Sequence, residues 1–233
     1  MDTIILHIET STKACSVAIS KEMKLLALVE SNEAEYSHAE KLNLFIEEAL
    51  KVADLTMKDL SAVAVSEGPG SFTGLRIGVS TAKGIAYALD LPLIAVSTLR
   101  SIAQGFIDSN DLSKKDIIVS TLDARRREVY MQLFDPSLNA QSEIEAKVLD
   151  QSSFEELKNK NAHIHLVGDG ASKFADEFKD DDQVIVHSNT LPSSAFMIAE
   201  AWDAYQKKKF VDSAYFEPHY LKDFIAIKPR KIF

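Results

Sequence analysis

Glu67-Gly68-Pro69-Gly70-Ser71-Phe72-Thr73-Gly74-Leu75-Arg76 is the stretch whose reading decides the fold. The apolar run Leu60 to Val65 precedes it and has the length and composition of a strand. Beyond Leu75 the apolar positions Val79, Ala82, Ala86 and Leu89 recur at helical spacing. Gly68, Pro69, Gly70, Ser71, Thr73 and Gly74 therefore form a structural turn where a strand passes into a helix. Pro69 bars a helix through Gly68, and Ser71 or Thr73 can cap the first free amides of the helix. Gly74, Gly78 and Gly84 punctuate that helix, each at about 1 kcal/mol in propensity. A helix that accepts such costs packs closely on a neighbour or receives something at its start.

Upstream of the turn, Thr3–Glu9, Cys15–Ile19 and Leu25–Val29 read as a three-stranded meander. Glu33 to Val52 reads as a helix with Leu42, Phe45, Ile46, Ala49 and Leu50 on its apolar face. Downstream, Leu91–Val96 is a strand and Ser97–Ile107 a helix. The scheme then restarts: strands over Ile117–Thr121 and Glu128–Phe134, further strands over Ile144–Leu149, His163–Val167 and Val184–His187, and a long helix over Ser193–Phe210. Antiparallel strands followed by a βαβα continuation make a mixed sheet flanked by helices, so the class is α/β, in two lobes. The division is expected at residues 1–103 and 104–233, with the last helix or the aromatic and basic tail (Tyr220, Phe224, Lys228, Arg230, Lys231) packing back on the first lobe.

The chain has 233 residues and a formal charge of -9, which excludes an overall electrostatic footprint for nucleic acid or an anionic membrane. Its single cysteine, Cys15, excludes an internal disulfide and reads as a buried thiol in a strand. No basic leader precedes the first strand and no apolar run reaches membrane-spanning length, which predicts a soluble, cytoplasmic protein.

Three groups of residues carry candidate chemistry. Glu9 ends an apolar strand, where packing does not require an acid, and Thr10-Ser11-Thr12 follow it. These are either a self-bonded tight turn or a cradle for an anion. Asp123, Arg125 and Arg126, with Arg127 and the turn residue Asp169, are either a charged hairpin link or a patch facing the cleft between lobes. His38, Leu42, Phe45, Ala49, Arg76, Val79, Lys83 and Ala86 lie on the two first-lobe helices and are the candidates for a partner interface, with Gly78 and Ala82 small enough for close approach. No peptidase or hydrolase pattern is present: the six histidines form neither H-E-x-x-H nor H-x-x-x-H, and Gly70-Ser71-Phe72-Thr73-Gly74 does not match G-x-S-x-G. No metal site is expected. His163 and His165 share a strand face near Asp169.

Ile4 to Thr12, Ser66 to Ala86, Leu122 to Tyr130 and Glu217 to Leu221 together resemble the TsaB family, also called YeaZ. The resemblance covers nearly the whole chain; the Gly68-to-Gly84 run combined with Asp123-Ala124-Arg125-Arg126 is its specific part. It implies the two-lobed actin-like ATPase fold with mixed five-stranded sheets. It also implies a non-catalytic paralogue of TsaD that works with TsaD, TsaE and TsaC in forming threonylcarbamoyladenosine in tRNA. Such proteins dimerise with themselves or with TsaD through the two first-lobe helices, here Glu33–Val52 and Phe72–Leu89. The resemblance implies no tightly bound cofactor: ATP and metal belong to the partner subunits, and tRNA is reached through the complex. Glu9 stands where the family commonly has aspartate. The rival expectation is an ATP-dependent kinase or hydrolase using the cleft lined by Glu9, Thr10, Ser11, Thr12 and Asp169.

Overall fold

The computed structural model describes residues 2–32, 38–160, 162–188 and 190–222. Strands β1 (Ile4–Glu9), β2 (Cys15–Lys21) and β3 (Lys24–Ser31) open the chain, followed by α1 (His38–Val52), β4 (Ala62–Gly68), α2 (Phe72–Leu89) and β5 (Leu93–Ser97). After α3 (Thr98–Asp108) come β6 (Ile117–Asp123), β7 (Val129–Phe134), β8 (Glu145–Lys147), the short α4 (Glu155–Lys158), β9 (Ile164–Val167), β10 (Val184–His187) and α5 (Ile198–Gln206). The expected helix start at Glu33 and the tail residues Phe224, Lys228, Arg230 and Lys231 lie outside the described residues.

The first sheet has the order β3-β2-β1-β4-β5, and the second has β8-β7-β6-β9-β10. In both, the first three strands are antiparallel and the last two join in parallel. Two mixed five-stranded sheets therefore repeat one topology.

Strand periodicity explains the apolar runs. Ile4, Leu6 and Ile8 of β1 pack with Leu42, Ile46 and Ala49 of α1 and Val79, Ala82 and Ala86 of α2, whereas Ile5 points the other way, toward Met197 and Ala201. A sheet covered on both faces leaves no polar side to alternate with, so β1 and β4 read as continuous hydrophobic stretches. Each fully buried Leu or Ile contributes at most about 1.5–3 kcal/mol. Cys15 is one of these packing residues.

The expected division at residue 103 lies within α3, whose Leu99, Ile102, Ala103 and Phe106 pack on Ile118, Leu122 and Phe134 of the second sheet. One element differs from the sequence expectation. The long helix expected over Ser193–Phe210 is instead a 3-10 turn, Ser194–Met197, followed by α5, which ends at Gln206. Lys207, Lys208 and Lys209 supply no apolar face, Lys208 turns left-handed (φ 53°), and Val211 then pairs with Leu93 at the edge of the first sheet.

Candidate functional site

The glycine turn and the Thr10-Ser11-Thr12 turn lie against each other. Ser71 N–H donates to the Ser11 carbonyl (2.6 Å), and the Thr10 hydroxyl donates to the Gly74 carbonyl (2.8 Å). Ser71, rather than Thr73, is the α2 N-cap, its hydroxyl accepting from Gly74 N–H (3.3 Å). The glycines make this contact possible. A Cβ on Gly70 would meet the Ser11 backbone, one on Gly74 the Thr10 carbonyl and one on Gly78 the Thr10 hydroxyl, all well under 3.0 Å. Gly68 adopts φ 106° before the cis Gly68–Pro69 bond, a conformation that excludes most side chains.

This contact encloses the first turn. Glu9, Thr10, Ser11 and Thr12 are all buried, Glu9 completely (0 % exposed). Glu9 Oε1 accepts from Ser11 N–H (2.6 Å), and Thr12 Oγ1 accepts from Ala14 N–H (3.1 Å). His38 closes the other side through Nε2 at 2.7 Å from the Thr12 carbonyl. Burial pushes the Glu9 carboxyl above the ordinary carboxylate range, against the pull of its bonds to Ser11. The Thr10 and Thr12 hydroxyls and the Ser11 amide are turned onto the protein itself, while the Ser11 hydroxyl and Glu9 Oε2 are buried without a partner. Among the described residues no group of three or more His, Cys, Asp or Glu is arranged to hold a metal ion.

Asp123, Arg125, Arg126 and Asp169 come together in the second sheet. Asp169 accepts from Asp123 N–H (3.0 Å), and burial raises its carboxyl to about 6. Asp123 Oδ1 accepts from Arg125 N–H (2.5 Å) and from Lys173 Nζ (2.7 Å). Lys222 donates to Glu128 (2.5 Å), and Arg127 lies 3.7 Å from Glu177. His163 and His165 flank Asp116 (3.9 and 3.5 Å) rather than Asp169, and His165 Nδ1 is 3.2 Å from His187 Nε2.

The helical candidates divide by exposure. His38, Leu42, Ala49, Val79 and Ala86 are buried, which corrects their expected place on an exposed surface: the last four face the first sheet, because a helix face that covers a core is not open to a second protein, and His38 lies against the Thr12 carbonyl. Phe45 is half-buried against that core. Arg76 is exposed and Lys83 half-exposed, and both are engaged by the chain's own C-terminal segment. The guanidinium of Arg76 lies over Phe72 (4.0 Å) and donates to Tyr220 Oη (3.3 Å); Lys83 donates to the Ala214 and Phe216 carbonyls (3.2 and 3.0 Å). The outward face of the two helices carries Leu44 (60 % exposed), Tyr87 (86 %) and Gly84, beside which a Cβ would find open space.

This segment, expected from the sequence to pack back on the first lobe, forms a strap. His219 N–H donates to the Glu67 carbonyl (2.7 Å), Tyr220 stacks on Phe72 (4.8 Å), and Lys222 reaches the Ala124 carbonyl (3.3 Å) in the second sheet. Aromatic residues in a coil, Tyr215, Phe216 and Tyr220, were the one available signal.

A family model described as "TsaD: tRNA N6-adenosine threonylcarbamoyltransferase" matches residues 29–226, which include strands of both sheets. Similarity also extends to "tRNA threonylcarbamoyladenosine biosynthesis protein TsaB" of Escherichia coli K12, 31% identical over 228 residues and 96% of both chains. The protein of that name from Haemophilus influenzae is 29% identical, covering 96% of this chain and 95% of its own. The solved structure of YeaZ from Pseudomonas aeruginosa has the same fold (TM-score 0.77, 24% identity, 94% of this chain and 100% of that one). The chain belongs to the TsaB, or YeaZ, family.

Proposed function

We propose that this chain is a non-catalytic scaffold or activator subunit acting with TsaD and TsaE in transfer of the threonylcarbamoyl group to N6 of adenosine 37 of tRNA. What carries the reading is the turn Glu9–Thr12. In a working cleft enzyme these groups would face a nucleotide, whereas here they are buried, with Thr10 and Ser11 bonded to the glycine turn and Glu9 to Ser11. The names of the relatives support the pathway, and the family model supports kinship with the transferase subunit. ATP and metal would then act in the partner subunit, in the cytoplasm.

The surface offered to TsaD, or to a second copy when TsaD is absent, is the outward face of α1 and α2 around Leu44, Gly84 and Tyr87. Apolar side chains beside a bare helix backbone suit a partner helix at close range.

The test mixes this chain with TsaD and TsaE from the same organism, follows assembly by chromatography with light scattering, and assays modification of cognate tRNA. The reading expects a stable complex and modification that needs this chain but survives Glu9→Gln. Absence of a complex and of any dependence on the chain refutes it. Loss of modification on Glu9→Gln with assembly intact transfers the assignment to a cleft enzyme.

A further inference from the structure

The loop joining β6 to β7 departs from ordinary turn chemistry. Arg125 and Arg126 both have left-handed backbones (φ 70° and 53°), the one consecutive pair of non-glycine residues with positive φ among the described residues. Such positions favour Gly, Asn or Asp, because a longer side chain crowds its own backbone there. The loop is nonetheless well determined. Ala124 N–H bonds the Glu128 carbonyl (3.1 Å), Glu128 N–H bonds the Arg125 carbonyl (3.2 Å), and Asp123 Oδ1 takes the Arg125 amide.

The surrounding charges pair off and leave a remainder. Lys173 holds Asp123, Lys222 holds Glu128, and Arg127 faces Glu177. Arg125 and Arg126 are exposed and have no ion pair among the described residues, although acids outnumber bases 35 to 26 in the chain. Asp169, the remaining carboxylate, is occupied with the Asp123 amide. Beside them the half-buried Tyr130 ring lies 5.5 Å from the Lys222 ammonium. Planar guanidiniums that bond two oxygens at once, set next to an aromatic face, match a nucleic-acid backbone.

We propose that Arg125 and Arg126 form a phosphate contact for the tRNA on which the complex acts, so that this chain touches the RNA directly at the β6–β7 loop. The inference rests on the functional reading above. With a net charge of -9 the chain supplies a contact point and not a binding face, and the partner subunits supply most of the affinity.

The test uses the full complex and an unmodified tRNA transcript bearing adenosine 37, with affinity measured by anisotropy across a fourfold rise in salt. The double variant Arg125→Gly/Arg126→Gly removes both guanidiniums and relieves both left-handed residues, so the fold is retained. Each phosphate contact contributes about 0.9 to the slope of log affinity against log salt, which is about 3.5-fold in affinity over that salt range. The double variant is expected to reduce the slope by about 1.8 while assembly is unchanged. Arg127→Gln, which removes a paired charge, should change it by clearly less. An unaltered slope in an intact complex overturns the proposal. So does a double variant that no longer assembles, since the arginines then serve an acidic protein surface. If modification proceeds equally without this chain, the functional reading fails, and that result is distinct from an unaltered slope in a complex that needs it.

Discussion

Replacing Gly74 and Gly84 by alanine, one at a time, makes the same chemical change in the same helix and should have opposite effects. Alanine gains about 1 kcal/mol over glycine in a helix interior. At Gly84 nothing lies within 4 Å of the added methyl, so the isolated chain should gain close to that full amount. For a protein of this size the thermal midpoint should rise by about 2–4 °C. At Gly74 the methyl would enter the Thr10 carbonyl, a backbone atom held by its turn, and overpacking of this kind costs about 1–3 kcal/mol, with more where backbone must move. The propensity gain offsets only part of that, so Gly74→Ala should lower the midpoint by several degrees and loosen the Thr10–Ser11 turn. Urea melts of both variants, with hydrogen exchange at Ser11 and Ser71, measure each effect. The second half of the prediction is functional: Gly84→Ala, although more stable alone, should weaken association with the partner, because the methyl fills the gap where a helix would approach. Should Gly74→Ala be as stable as the parent, the packing of the two turns is wrong; should Gly84→Ala destabilise the isolated chain, its face is not open.

Further outcomes follow from buried charge and from the strap. The Glu9 carboxyl is raised in the folded state, so its contribution is fully present below the unfolded value and is lost as pH rises through the folded one; Glu9→Gln should flatten that decline in urea melts run at increasing pH from the unfolded value upward, while leaving assembly intact. Glu200, raised to about 7 by burial despite Arg100 at 3.3 Å, likewise loses stability as pH climbs toward 7, whereas His7, buried and lowered to about 3, loses stability as pH falls below its unfolded value near 6.5. The two slopes oppose each other between about pH 4.5 and 6.5, so Glu200→Gln should shift the slope of stability against pH upward there, by at most about 1.4 kcal/mol per pH unit; a profile identical to the parent's would count against the burial assigned to Glu200. Tyr220→Ala removes the Phe72 stack and the Arg76 hydrogen bond and should cost about 1–3 kcal/mol, with proteolysis after residue 211 as the sensitive readout. An unchanged digestion pattern would mean that the strap is held by other contacts.

Local patterns carried most of the architecture. The apolar runs of β1 and β4, the α1 and α2 faces and the break at Gly68–Gly74 are contiguous in sequence, so the strand and helix periods could be read directly, and the restart of the pattern after Ile117 announced a second sheet. The Ser193–Phe210 segment misled because its apolar residues sit at helical spacing, while its actual ends depend on where Val211 meets Leu93, a contact distant in sequence.

The site was legible as a set of residues but not as a set of relations. Gly74, Gly78 and Gly84 suggested in sequence that something approaches that helix closely, which the structure bears out within the chain at Gly74 and Gly78 and not at Gly84. Only the tertiary structure identified the visitor as the Thr10–Ser11 backbone, because that contact joins segments some sixty residues apart. Leu42 with Ala49, and Val79 with Ala86, were recognisable as the apolar faces of two helices, yet periodicity sets which residues share a face and not where that face points. Packing against the first sheet settled the direction, burying those four and leaving Leu44, Gly84 and Tyr87 outward. The arginines of the β6–β7 loop were visible in the chain as charges. Which of them retains a free charge was decided by Lys173, Glu177 and Lys222, brought in by the fold from distant segments, since ion pairing depends on distance in space and not along the chain.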